Sequence, residues 1–366
     1  MLLRKKILMW SLLVSILGFV GLAFGEALFW FSGMVPPQTT LVEDDRLGWV
    51  LTDAPDHTPK ADETRPTVVV LGDSFTAPGG FIHAASKVLE ESGCSLHFVN
   101  LGVHGYGQMQ QWKSWTVFGA AHKPDHVLLA AFLWNDLGDN LNDIYYSYTA
   151  HVNRPEMRII DKTVQIKDKS TFDILPDSLL ENSHLARGIE FLYFNIFSPY
   201  HNYGHPKAWG DFYLKQEPPR ATEGYAVYKE ILRRLAEDVQ KKGSNLAILS
   251  FDNGFTVLPE TLKEAADLIA DKNMPYSLED LDIDRPQNRS RQIVAELGLP
   301  FLDGTKALRA TSEPSYGPGL SGHFTPAGDQ AIGLLIADHL KQQGLCPSIA
   351  DNAPATVPQP PLPNAL

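Results

Sequence analysis

Four residues able to do chemistry together stand at Ser74, Gly105, Asn135 and His323, each following or preceding an element the sequence marks clearly. Ser74 lies in Gly72-Asp73-Ser74-Phe75, directly after the apolar run Val68-Val69-Val70-Leu71. That run reads as a buried strand feeding a tight turn, which sets the hydroxyl at the strand's C-terminal end, beside the N–H groups of the helix that follows. Asn100-Leu101-Gly102-Val103-His104-Gly105-Tyr106-Gly107 closes a second apolar run, and glycine there lets a backbone N–H approach a reacting oxygen closely. Leu133-Trp134-Asn135-Asp136 closes a third, with an asparagine amide able to donate to the same oxygen. Ser321-Gly322-His323-Phe324-Thr325-Pro326 sets a histidine just before the last helix, where it can act as general base for Ser74. Taken singly, each residue fits a structural role, such as a serine capping a helix. Their order along the chain points instead to nucleophilic acyl chemistry, in which a serine attacks a carbonyl and donors hold the oxyanion.

Short buried strands alternating with amphipathic helices must position these groups. Strands are expected at 68–71, 96–101, 127–133, 246–251 and 300–303. Helices are expected at 79–92, 108–121, 222–242, 260–270, 286–297 and from Thr325 to a stop at Gly344. Thr325 suits the N-cap and Pro326 the first helical position. The alternation predicts an α/β fold, a parallel sheet with helices on both faces, in which ligands bind at the strands' C-terminal ends. The pattern breaks over about 141–220. That stretch reads as an insertion with a hairpin around Asp161-Lys162, an apolar run at 189–197, and aromatics at Tyr145, Tyr146, Tyr148, Tyr200, Tyr203, Trp209, Phe212 and Tyr213. These aromatics either pack a small core of the insertion or line a substrate groove.

The chain has 366 residues and a formal net charge of −12, with no basic stripe to neutralise phosphates, so nucleic acid is excluded as a partner. Arg4, Lys5 and Lys6 precede an uncharged apolar stretch at 7–25, and Phe29, Trp30 and Phe31 follow Glu26. Length, flanking charge and aromatics predict an N-terminal transmembrane helix, N-terminus in the cytoplasm and the remainder outside it. A signal peptide cleaved near Ala23-Phe24-Gly25 is the alternative, leaving a secreted protein. The expected organisation is a cytoplasmic tip and anchor at 1–34, a connector at 35–65 with one short strand at 47–51, a catalytic unit at 66–346, and a disordered Pro-rich tail at 347–366. Two cysteines, Cys94 and Cys346, make neither a disulfide scaffold nor a zinc site, though an oxidising compartment would let them pair.

With these residues in view, the chain resembles the SGNH hydrolases, the GDSL-type serine esterases, over most of 66–345. The first block matches Gly72-Asp73-Ser74, the second Asn100 with Gly105, the third Asn135-Asp136, and the last His323 with the following Pro-Ala-Gly. The resemblance implies a flavodoxin-like three-layer α/β/α sandwich, strand order 2-1-3-4-5, and ester hydrolysis with no cofactor and no metal. It implies Ser74 as nucleophile and His323 as base. The oxyanion would be held by the N–H groups of Ser74 and Gly105 and the Asn135 amide, with Asp73, Asp136 and Ser321 in support. The chain departs from the family twice. Leu133 stands where a glycine is usual, with Trp134 beside it, and this bulk would narrow the acyl pocket. Leu320 replaces the aspartate three residues before the histidine. A backbone carbonyl near Leu320, the Ser321 hydroxyl or a carboxylate such as Asp303 must then orient the imidazole.

The function expected is an extracytoplasmic esterase that removes a small, acetyl-like group from a carbohydrate or envelope polysaccharide, with an acylated carbohydrate or lipid as substrate. The alternatives are an O-acyltransferase in polysaccharide assembly, working with envelope partner proteins, and a non-catalytic carbohydrate-binding module. The topology also places the first and last helices on one face, running the same way, so that Cys94 and Cys346 come close enough for a disulfide.

Overall fold

The computed structural model describes residues 18, 20–28, 41–44, 46–51, 58–59, 63–141, 154–160, 163–170, 183–186, 188–189, 206–320 and 322–346. The first described strands, β1 (Leu41–Asp44) and β2 (Gly48–Leu51), pair antiparallel as a hairpin separate from the main sheet. The connector thus holds two strands where the sequence predicts one. Leu47 at its turn is buried with Val103 and Tyr106, and its carbonyl accepts the Gln110 side-chain amide at 3.0 Å.

From there the chain alternates as expected: β3 (Thr67–Gly72), α1 (Gly80–Glu91), β4 (His97–Gly102), α2 (Gln108–Val117), β5 (His126–Phe132) and α3 (Leu133–Asn140). The antiparallel strands β6 (Arg154–Ile160) and β7 (Thr163–Ser170) flank Asp161 and Lys162, with Ile160 opposite Thr163. After it come α4 (Pro206–Trp209), α5 (Pro219–Lys241), β8 (Asn245–Phe251), α6 (Pro259–Asp271), α7 (Arg285–Glu296), β9 (Phe301–Asp303), α8 (Gly304–Arg309) and α9 (Pro326–Gln342). The main sheet has the order β4-β3-β5-β8-β9, every pair parallel, which is 2-1-3-4-5 in its own strands.

β3 and β5 are buried along their whole length and β8 along all but its first residue, as continuous apolar strands covered on both faces must be. The chain steps one way from β3 to β4 and the other way through β5, β8 and β9. Right-handed crossovers therefore put α1 on one face and α2, α5 and α7 on the other. α9 returns to the α1 side and packs against it. This reversal of direction opens a crevice at the C-terminal ends of β3 and β5. Thr325 caps α9 by accepting the Gly328 N–H, and Gly344 follows the helix at φ 73°. Cys94 and Cys346, just past the ends of α1 and α9, form a disulfide with Cα atoms 5.1 Å apart.

One expectation turns out differently. Trp209, Phe212 and Tyr213 neither form a private core nor line a groove. They are fully buried in the main core, Trp209 and Tyr213 against Trp134 and Phe255, and Phe212 against Tyr225. The aromatics at 145–148, 200 and 203 lie outside the described residues, as do the 347–366 tail and most of the predicted membrane segment. Residues 20–28 are helical, with Val20, Leu22, Phe24 and Leu28 exposed. Among the described residues no helix is long and apolar enough to cross a membrane.

Candidate active site

Ser74 projects from the turn that follows β3. The Asp73 carbonyl accepts the N–H groups of Thr76 and Ala77 at 3.1 and 2.9 Å, and the Asp73 carboxylate accepts that of Phe75 at 3.0 Å. The carboxylate thus closes the turn from beneath while Ser74 stays partly open to solvent. Across the crevice, His323 Nε2 lies 2.9 Å from Ser74 Oγ. Residues 249 positions apart are thereby at hydrogen-bond distance, in the geometry a general base needs to take a hydroxyl proton.

Asn100 ties β4 to the serine turn, its amide donating to the Thr76 and Ala77 carbonyls at 2.9 and 3.3 Å and its Oδ1 accepting the Gly102 N–H at 2.9 Å. Gly105 follows at φ 77°, a left-handed conformation that glycine takes without strain. Asn135 is not at the strand end proper but in the first turn of α3, because the helix begins as soon as β5 ends. Its Nδ2 donates to Asp139 Oδ2 at 3.0 Å, one helical turn on, which ties the amide to its own helix.

Asp136 supports this arrangement from below. It is fully buried and accepts the Phe132 N–H at 2.9 Å together with the Gln108 side-chain amide. Asn140, the last residue of α3, donates to the Gln108 side chain and accepts the Met109 N–H at 3.2 Å, so the start of α2 is locked onto α3. Burial, opposed in part by the Phe75 N–H and reinforced by nearby Asp139, raises the Asp73 carboxyl to about 7. Burial, then the charges of Asp73 and Asp139, raises Asp136 well above the usual carboxylate range. Among the described residues no group of three His, Cys, Asp or Glu side chains is arranged to hold a metal ion.

The imidazole is held by its faces. Phe75 stacks on the His323 ring with centroids 4.5 Å apart and an interplanar angle of 28°. Phe75 in turn packs on Phe132, Phe251 and Phe324. Among the described residues Ser74 is the one hydrogen-bond partner of the His323 side chain. Of the expected orienters, the Leu320 carbonyl accepts the Asn253 side-chain amide. Asp303 is engaged elsewhere, with Gln287, Arg291 and the Lys306 N–H, and Ser321 lies outside the described residues. Burial, then the charge of His104, holds the His323 imidazole below its ordinary pKa. Trp134 does not narrow a pocket. It is buried and stacks on Trp209, with centroids 4.5 Å apart.

Asn253, Asp139 and Phe75 carry parts of this geometry that the sequence reading assigns no role. Asn253 does follow an apolar strand, and the rule that singles out Asn135 applies to it equally.

No protein-family model and no curated protein sequence matches the chain. Among solved structures, it is similar to the lipase/acylhydrolase from Enterococcus faecalis, at 13% identity and TM-score 0.40, covering 76% of this chain and 96% of that one. It is similar also to a catalytic mutant of Axe2, an acetylxylan esterase from Geobacillus stearothermophilus, at 12% identity and TM-score 0.41, covering 76% and 94%. A third is a GDSL-like lipase from Bacteroides thetaiotaomicron, at 11% identity and TM-score 0.39, covering 78% and 92%.

Proposed function

We propose that this chain is a serine esterase of the SGNH type that removes a small acyl group from a carbohydrate or envelope polysaccharide outside the cytoplasm. The observation that carries the proposal is the 2.9 Å approach of His323 Nε2 to Ser74 Oγ at the C-terminal ends of the parallel strands. In the proposed reaction His323 takes the Ser74 proton as Oγ bonds to the ester carbonyl carbon. The N–H groups of Ser74 and Gly105 and the Asn135 amide hold the tetrahedral oxyanion. The intermediate collapses, the C–O bond to the alcohol breaks, and His323 returns the proton to that oxygen. Water, deprotonated by His323, then adds to the acyl carbon and frees Ser74.

The extracytoplasmic assignment rests on the basic N-terminus followed by the apolar stretch at 7–25, and the Cys94–Cys346 disulfide supports it, since such bonds persist in oxidising compartments. We assign residues 66–346 to the catalytic unit and 1–34 to a membrane anchor. The test is hydrolysis of p-nitrophenyl acetate by the full-length protein in detergent. Turnover is expected, and Ser74→Ala should reduce it at least about a thousandfold. An inactive wild type, or a Ser74→Ala variant as active as wild type, rejects the reading. Acyl transfer to an added glycan that outpaces hydrolysis replaces esterase with O-acyltransferase.

A further inference from the structure

His323 has no carboxylate partner among the described residues, yet its ring is aligned on Ser74. The loop that carries it is a narrow hairpin. Tyr316 and Phe324 form an antiparallel bridge, the Gly317 N–H donates to the His323 carbonyl at 2.8 Å, and the Thr325 N–H donates to the Ser315 carbonyl at 3.1 Å. Both parts of this hairpin are gripped from the end of β8 by two consecutive residues. On the entering arm, the Tyr316 hydroxyl donates to the Asp252 carbonyl. At the tip, Asn253 Nδ2 donates to the Leu320 carbonyl.

Asn253 is itself fixed. It is buried, its N–H donates to the Asp252 carboxylate at 2.8 Å, and its Oδ1 accepts the Phe255 N–H at 3.1 Å. The amide plane therefore has one orientation, Oδ1 toward Phe255 and Nδ2 toward Leu320. Leu320 is the position where the related enzymes would carry the acid that holds the histidine.

We propose that Asn253 is the positioning residue for His323, fixing the imidazole by clamping the backbone of its loop at Leu320 instead of binding the ring. This rests on the reading of Ser74 and His323 as nucleophile and base. Asn253 touches neither substrate nor the reacting atoms. It acts through the loop, and with Phe75 on the ring face it replaces an orienting carboxylate by two uncharged contacts. A misplacement of the base by about 1 Å is enough to lower turnover roughly a hundredfold.

The test uses full-length protein with Asn253→Asp and Asn253→Ala. Aspartate keeps the oxygen that accepts the Phe255 N–H and removes the Nδ2 donor. Alanine is a second variant free of the charge that aspartate brings next to Asp252. Two readouts are taken: kcat and KM on p-nitrophenyl acetate, and NMR titration of the His323 ring, assigned by its loss in His323→Gln. The expected result is a fall in kcat of roughly ten- to a hundredfold at unchanged KM. The His323 titration should also move up toward the ordinary histidine value, as the loop lifts the ring out of its burial. Unchanged kcat and unchanged titration in both variants overturn the proposal. So does a loss of kcat with the titration unmoved, because the damage then lies elsewhere. If wild type hydrolyses no ester, the esterase reading fails, and the titration alone still decides whether Asn253 places the ring.

Discussion

At the scale of single residues, the unusual feature of the proposed site is a base with no acid behind it among the described residues. An aspartate behind a catalytic histidine orients the ring and also stabilises the imidazolium that forms when serine gives up its proton. In the proposed site Phe75 and the clamped loop supply the first effect, and neither brings the negative charge behind the ring that supplies the second. The electrostatics run the other way, since burial first and the charge of His104 second both disfavour imidazolium at His323. Protonated His323 cannot accept the Ser74 proton, so activity is lost as pH falls through its pKa. With that pKa depressed, the acid limb of the kcat/KM profile should lie below about 6.5, the unperturbed histidine value. His104→Gln removes one source of the depression and should move the limb upward. The measurement is the pH–rate profile of wild type and His104→Gln. A wild-type limb at or above the unperturbed value, or a downward move in the variant, would contradict this assignment of charges.

The elements explain why the four candidate residues are legible in the sequence, His323 from the N-cap Thr325 and Pro326 that follow it. Val68 to Leu71 and Val127 to Phe132 are apolar at every position, which marks them as strands buried on both faces, and polar residues directly after such strands face the crevice. Ser74 and Asn135 follow from that rule, and Gly105 from its place beyond β4. The clamp does not follow. Asn253 and Leu320 are 67 positions apart, and nothing in Phe251-Asp252-Asn253 shows which loop its amide reaches. The β1 strand escapes for a different reason: Leu41-Val42-Glu43-Asp44 is too short and too mixed to show a period. The hairpin that bears His323 depends on close backbone approach at Gly322, where an added Cβ would sit 2.2 Å from the Gly317 carbonyl oxygen. Backbone cannot yield as a flexible side chain does, so Gly322→Ala must open the tip and draw His323 from Ser74. The expectation is a kcat at least about tenfold lower. Equal kcat for Gly322→Ala and wild type would show that the tight tip is dispensable.

Across the whole molecule, α1 and α9 pack side by side on one face of the sheet, and each joins the site to the disulfide. α1 begins shortly after Ser74 and α9 directly after His323, while Cys94 and Cys346 follow their far ends. The order 2-1-3-4-5 makes this pairing legible, since it sets the first and last helices parallel on one face. The fate of Trp209, Phe212 and Tyr213 was not legible, because aromatic content does not say whether a segment packs into the sheet's core or over it. The bridge closes a loop of 252 positions, and such cross-links stabilise chiefly by restricting the unfolded chain, typically by about 2–4 kcal/mol. Native alignment of the two helices comes instead from their packing. The double variant Cys94→Ser/Cys346→Ser should therefore lose about 2–4 kcal/mol in denaturant unfolding, and added reductant should shift wild type toward it while leaving the variant unmoved. Turnover of the folded variant should match wild type, because the bridge sits at the helix ends away from Ser74 and His323. Coincident unfolding curves for wild type and variant would mean that the disulfide does not restrict the unfolded chain. Matched stability loss together with a large fall in kcat would mean that it also sets the spacing of the serine and its base.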